Sequence, residues 1–379
     1  MADEDLVPFT IEIPDAELDD LRARLAATRW PAKSPDAAWV RGIPVAYLQE
    51  LARYWEQDFD WRAQEARLNA LPQFTTTLDG QRLHLVHVTS PVPDALPLVI
   101  THGWPGSVVE FLDVIGPLTD PEAHGGDRRD AFHVVAPSIP GFAFSTPLAG
   151  AGWDPTRIAR TWAELMARLG YDRYAAQGGD WGSHISRELA IEDPEHVVGV
   201  HLNMLMNTGE QAPDDLTPEE QERLDRAAHF VREGSGYNRI QATRPQTLSY
   251  GLTDSPAGQL AWIAEKFYEW TDNDGSPEDA VDRDLMLANI SLYWFTRTAG
   301  SSAQIYYERV HGGRGPREVT VPTGVAVFPA DITRPVRRMS EQSHHVVRWT
   351  ELDRGGHFAA MEEPDLLVEE IRGMFRDLR

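Results

Sequence analysis

Apolar positions recur at the spacing of one helix face in two stretches near the start of the chain: Leu18, Leu21 and Leu25, then Leu48, Leu51 and Trp55. The first predicts a helix capped by Asp15 and ending near Trp30-Pro31, the second a helix over Val45 to Trp55. The pattern then changes period. Phe74-Thr75-Thr76-Thr77 and Leu83-His84-Leu85-Val86 flank Asp79-Gly80, a hairpin signal. Short apolar runs at Leu98–Thr101, Phe132–Ala136, Tyr174–Gln177 and Val197–Leu202 are separated by helix-like segments, which predicts a mostly parallel sheet. From about Asn207 to Pro316 that alternation stops, and a polar stretch gives way to helical pattern rich in Trp, Tyr and Phe. Strand character resumes at Val319-Thr320-Val321, Val325–Phe328 and Val346–Leu352, before a last helix with Pro364 near its start and Leu367, Ile371, Met374 and Phe375 on one face. The expected division is a helical N-terminal extension over residues 1–75, an α/β core over 76–206 and 317–379, and a helical cap over 207–316 inserted between core strands.

Gln177-Gly178-Gly179-Asp180-Trp181-Gly182-Ser183 has the small-x-nucleophile-x-small form of a strand-to-helix elbow, with a carboxylate at the central position. An ionised Asp there can attack an electrophilic carbon and form an ester with the enzyme. The plain alternative is a Gly-rich turn with an Asp capping a helix. Two further pieces argue against it. His102-Gly103-Trp104-Pro105-Gly106-Ser107 follows an earlier strand, so the backbone N–H groups of Trp104 and Trp181 are the candidate oxyanion hole. His357, within Arg354-Gly355-Gly356-His357-Phe358-Ala359-Ala360, lies just past the last strand as a candidate general base. The chain order nucleophile, acid, histidine is that of α/β-hydrolases. The expected fold class is therefore α/β: an α/β-hydrolase fold, its mostly parallel central sheet flanked by helices, with the cap and the N-terminal extension added.

A histidine base needs a carboxylate to orient it. Asp331, after Val325–Phe328, is the best candidate; Glu351 and Asp353 are rivals on or beside the histidine's own strand. An aspartate nucleophile leaves halide displacement and epoxide opening both open. A halide needs N–H donors, whereas an epoxide needs an acid for its departing oxygen, which cap tyrosines could supply. Tyr237 and Tyr306 are candidates, although a single cap tyrosine is more often packing. Spacing does not choose between Tyr306 and Tyr307, or exclude Tyr250, Tyr268 and Tyr293.

The chain has 379 residues and is 42% hydrophobic, enough for a large core. A formal charge of -24 argues against nucleic acid and anionic membrane surfaces as partners. No cysteine is present, which excludes disulfides, thiolate metal sites and cysteine nucleophiles. Only Lys33 and Lys266 are lysines, against abundant arginine. The acidic start Met1-Ala2-Asp3-Glu4-Asp5 does not resemble a signal peptide, and no apolar run reaches membrane-spanning length. A cytoplasmic location is the expectation.

With these residues in view, the chain resembles epoxide hydrolases of the microsomal and juvenile-hormone type. The resemblance covers nearly the whole chain. It rests on Pro8-Phe9, Leu21-Arg22-Ala23-Arg24-Leu25, Thr28-Arg29-Trp30-Pro31, Tyr54-Trp55 and Phe59-Asp60-Trp61-Arg62 in the extension, and on the two motifs around Trp104 and Asp180. In the cap it rests on Ser235-Gly236-Tyr237, the run Ile240 to Thr247, Asp254 to Gly258, Glu265-Lys266-Phe267 and Tyr293-Trp294. It implies Tyr237 and Tyr306 as the acid tyrosines, Asp331 as the charge-relay acid and His357 as the base. Mammalian microsomal members carry Glu at the relay position, and their membrane-anchoring N-terminal segment has no counterpart here. The resemblance implies a soluble, bacterial-like enzyme, without metal or organic cofactor, that turns a small-molecule epoxide, apolar or aromatic, into a vicinal diol. Detoxification, catabolism and secondary metabolism all fit, and a homo-oligomer is left open. The alternatives are a haloalkane-type dehalogenase using the same triad and a non-catalytic binding protein on a hydrolase scaffold. A serine esterase through Ser183 is weaker, since Ser183 lies past the elbow.

Overall fold

The computed structural model describes residues 6–36, 38–207, 210–312, 315 and 317–379. The acidic start that bears on a leader, and residues at both expected cap boundaries (208, 209, 313, 314 and 316), lie outside them.

Nine described strands form one sheet: β1 (Val7–Phe9), β2 (Gln73–Leu78), β3 (Gln81–Val88), β4 (Leu96–Thr101), β5 (Phe132–Pro137), β6 (Tyr174–Gly178), β7 (Val197–Leu202), β8 (Val319–Val327) and β9 (His344–Glu351). Their order is β1-β2-β3-β5-β4-β6-β7-β8-β9, antiparallel from β1 to β5 and parallel from β5 onward. This is the α/β-hydrolase fold. Asp79 and Gly80 both take positive φ in the β2–β3 turn, as a two-residue hairpin loop requires. Alternate residues of the central strands face opposite layers. Val99, Val135, Ala176 and Val200 pack with Ile158, Trp162 and Leu189, while Leu98, Ile100, Val134 and Ala136 pack with Phe111, Leu367 and Phe375. Each strand is thus buried on both faces, which is why the sequence shows unbroken apolar runs there.

The structure differs from the sequence reading in four elements. β1 and a helix at Trp61–Asn69 are additional; β1 is too short to carry a period. Asp15 is the first residue of its helix, with Pro14 at the cap and no side-chain cap bond, and its carboxylate pairs with Arg62 instead. β8 runs unbroken through Pro322-Thr323-Gly324, absorbing them by shifts of register, so a Pro and a Gly that read as a break mark a bulge.

The register sets the ends of the strands level: Thr101 lies opposite Gly178, and Gly178 opposite Leu202. The loops after β4 and β6 therefore leave the carboxyl edge of the sheet side by side, where α/β proteins build their sites. Between β7 and β8 the chain makes a series of helices, the longest being Pro256–Trp270 and Arg283–Thr296. The N-terminal region is joined to these two helices. Trp55 Nε1 donates to Ser291 Oγ at 2.8 Å and the Tyr54 hydroxyl to Asp284 Oδ1 at 2.8 Å. Trp39 stacks on Tyr268 at 3.8 Å. No described helix is long and apolar enough to cross a membrane.

Trp55 is 2% exposed at this junction. Trp55→Ala should lower folding stability by about 3–5 kcal/mol, the usual cost of emptying a buried tryptophan site; a urea unfolding curve checks it.

Candidate active site

Asp180 opens the helix Asp180–Glu192 directly after β6, at φ +47°, a conformation that strains any residue but glycine. The turn closes because its neighbours lack side chains: a Cβ on Gly182 would lie 1.8 Å from Thr101 O, and one on Gly103 would lie 2.3 Å from Asp180 Cβ. Asp180 Oδ1 accepts the Trp104 N–H at 2.7 Å, and the Trp181 N–H also donates to this carboxylate. Burial pushes its pKa up, against the pull of His357 and of those two N–H groups. Trp104 and Trp181 thus converge on Asp180, as the two motifs predict.

His357 Nε2 lies 3.6 Å from Asp180 Oδ2, and its Nδ1 is 2.7 Å from Asp331 Oδ1. Asp331 Oδ1 also accepts the Ile332 N–H at 2.7 Å, which fixes the carboxylate. The rivals are committed elsewhere: Glu351 to Arg223 and Trp349, Asp353 to Arg354 at the surface. The histidine loop is itself clamped. His357 N donates to Trp270 O at 2.8 Å, and Glu362 accepts the Phe358 and Asp272 N–H groups, each at 2.9 Å. Burial of His357 opposes its charged form, but Asp331, Asp180 and Glu110 outweigh it and raise its pKa to about 9.

The tyrosines separate by environment. Tyr237 stacks on Trp104 at 5.0 Å, Tyr306 meets the Trp181 ring edge-on at 4.7 Å, and the two phenol rings are 6.0 Å apart. The Tyr306 hydroxyl and the Trp181 indole N–H are buried without a hydrogen bond of good geometry, although Tyr306 lies near enough to Trp181 and to Tyr237 for weak ones. Tyr293 is occupied, donating to Gly106 O at 2.8 Å. Tyr268 is stacked on Trp39, while Tyr250 and Tyr307 are exposed. Ser183 donates to Met204 O and is buried in the helix after the elbow.

The site contains one acid that the motifs do not announce. Glu110 accepts the N–H groups of Gly103 and Ser107, and burial raises its pKa to about 8. Its carboxylate fills the space where a side chain on Gly106 would stand, 1.5 Å from that residue's ideal Cβ. A cavity of about 10 Å³ is lined by Gly103, Gly106, Glu110, Asp180 and His357, the size of a single water site. A signal was available: the missing side chain at Gly106 and an acid four residues on, in a tight turn. No described group of three or more His, Asp or Glu is disposed to hold a metal ion.

Known proteins match the chain along its length. A family model described as "Epoxide hydrolase N terminus" matches residues 6–111, and one described as "alpha/beta hydrolase fold" matches 97–283. A Stigmatella aurantiaca protein named "Putative epoxide hydrolase" is 50% identical, over 99% of this chain and 86% of its own. Epoxide hydrolase 1 of Sus scrofa is 37% identical, over 98% and 88%. Juvenile hormone epoxide hydrolase from the silkworm Bombyx mori superposes with a TM-score of 0.90 at 30% identity, over 99% of this chain and 95% of that one.

A raised histidine pKa is also a statement about stability. The imidazolium contributes fully below the ordinary value of 6.5, and its contribution is lost as pH rises to about 9. The difference in unfolding free energy between pH 6 and pH 9.5 should be larger in the parent than in His357→Gln by on the order of 3 kcal/mol. Equal differences in the two proteins would mean that His357 is neutral in the resting site.

Proposed function

The chain belongs to the epoxide hydrolase family and is an epoxide hydrolase acting on a small-molecule epoxide, and we propose that it does so through an ester on Asp180. Asp180 attacks one epoxide carbon. The C–O bond breaks with its electron pair passing to oxygen, and Tyr237 and Tyr306 hydrogen-bond that oxygen and supply its proton. The product is a hydroxyalkyl ester and a tyrosinate. The resting proton of His357 passes to the tyrosinate, and the imidazole, oriented by Asp331, then takes a proton from water, whose hydroxide attacks the ester carbonyl. The oxyanion is held by the Trp104 and Trp181 N–H groups, each worth about 10²–10³ in rate in comparable sites. On collapse the departing alkoxide takes the carboxyl proton, which releases a vicinal diol and leaves Asp180 ionised and His357 protonated.

One observation carries this reading: the buried Tyr306 hydroxyl, without a hydrogen bond of good geometry, stands beside Tyr237 and against the indole of Trp181, the residue whose N–H holds the Asp180 carboxylate. An epoxide oxygen would satisfy the hydroxyl while its carbon meets Asp180. The small cavity beside Glu110 supports a place for the hydrolytic water, with His357 on one side and the Glu110 carboxylate on the other. The aromatic walls favour an apolar or aryl epoxide. In the same reading residues 207–316 are the cap that brings the tyrosines, 76–206 and 317–379 the core, and 1–75 the extension that braces the cap.

Mixing with styrene oxide tests the scheme. Asp180→Ala should form no diol and no adduct. His357→Gln should form the adduct and keep it, read as a mass increase equal to the epoxide on the intact protein; full diol turnover in that variant would remove His357 from the scheme. Glu110→Gln should slow release of the ester roughly a hundredfold, the low end for a positioned acid or base, and so show a transient adduct during turnover that the parent does not.

A further inference from the structure

Lys266, one of two lysines in the chain, is spent in an unusual place. It lies on the helix Pro256–Trp270 with its side chain 4% exposed, and it pairs with Glu265 and with Glu269, the latter at 2.9 Å. Both carboxylates are more exposed than the lysine, at 27% and 36%. An ion pair alone could form at the surface without burying the ammonium, which lysine seldom tolerates. What the burial achieves is a second contact. Lys266 Nζ stands over the ring of Tyr237, 4.9 Å from its centroid, and 5.5 Å from that of Trp270. Tyr237 is also stacked on Trp104, at 5.0 Å between centroids. The phenol ring thus has both an indole and a cation against it. No described Lys or Arg stands over the ring of Tyr306.

We propose that Lys266 is a positioning residue for the alkylation step, holding Tyr237 flat against Trp104 and stabilising the negative charge its ring takes on as the hydroxyl gives its proton to the epoxide oxygen. The inference rests on the reading of Tyr237 as an acid. As the C–O bond breaks, the O–H bond of Tyr237 breaks with it; its electron pair stays on the phenol and spreads into the ring. A cation over the face attracts that charge more than it attracts the neutral ring, so its help grows toward the transition state. Burial, Asp180 and Glu269 hold the Tyr237 pKa above the ordinary value, against the pull of hydrogen bonds with Tyr306 and Asn238. The same interaction makes the two tyrosines unequal, Tyr237 the proton donor and Tyr306 a hydrogen-bond donor.

The test is a double-mutant cycle on kcat/KM for diol formation from styrene oxide. Lys266→Met should lower kcat/KM roughly tenfold in the parent and in Tyr306→Phe, and less than about twofold in Tyr237→Phe, whose ring keeps the packing but has no proton to give. The same loss in all three backgrounds, or no loss in any, would overturn the proposal. A Tyr237→Phe protein with full activity would instead reject Tyr237 as an acid, before Lys266 is touched. Lys266→Arg, which keeps a cation on the ring, should retain activity within about threefold. Should Lys266→Met not fold, Glu269→Gln reads the same field from the other side. It removes an opposing charge and should raise kcat/KM about twofold with Tyr237 present and not in Tyr237→Phe; an equal change in both would overturn the proposal.

Discussion

Asp180 is a carboxylate taken out of water and held at a backbone angle that costs about 1–3 kcal/mol by itself, and removal from water adds several more. Both penalties have to be offset locally. The Trp104 N–H arrives from the loop after β4, the Trp181 N–H from the first turn of the helix after the elbow, and the imidazole from beyond β9. Trp104 lies 76 residues before Asp180, and His357 lies 177 residues after it. Only the parallel register, with Thr101, Gly178 and Leu202 level, brings their loops to one point. The sheet is the device that makes a buried anion tolerable.

In the proposed scheme the charges around His357 also link the two half-reactions. With Asp180, Asp331 and Glu110 all nearby, the imidazole is held protonated well above its ordinary range. A protonated His357 steadies the Asp180 anion but cannot act as a base. Ester formation cancels the charge on Asp180 and with it one of the interactions that hold the proton. His357 thereby becomes a better base once there is an ester to hydrolyse. Glu110 fits the same logic: burial raises its pKa to about 8, and it stands beside a cavity just large enough to admit a water.

Much of this was legible in the sequence because it is written in local patterns. The elbow has its glycines at fixed offsets, the apolar runs of β4 to β7 mark strands buried on both faces, and the order of Asp180, Asp331 and His357 follows the order of the strands. Glu110 was harder, since its function depends on a turn that folds it back over Gly106, and a turn of that kind has no period. The choice among cap tyrosines was hidden for another reason. Tyr293 and Tyr306 are both buried on helices, and only the surroundings of each hydroxyl tell them apart: a good bond to Gly106 O for Tyr293, and none of good geometry for Tyr306. In the sequence Lys266 stands near Glu265 and Glu269 with nothing to mark its contact with the Tyr237 ring, which only the fold creates. Hydrogen bonds between side chains more than 200 residues apart, such as Tyr54 with Asp284, leave no mark on either segment.

One helix, Arg283–Thr296, shows why the N-terminal region matters to chemistry it does not touch. On one side its Asp284 and Ser291 take hydrogen bonds from Tyr54 and Trp55. On another, Asn289 donates to Pro105 O at 2.8 Å and accepts from Ser107 Oγ at 2.7 Å, while Tyr293 donates to Gly106 O. The helix is thus bonded both to the extension and to the loop that presents the Trp104 N–H. All of these groups are buried or half-buried, so each bond lost would strand a polar atom away from water. A shift of the helix would have to break bonds on both sides together. The position of the oxyanion loop, and through Trp104 the stacking of Tyr237, therefore depends on packing laid down by residues around Trp55, at the far side of the helix from Asp180.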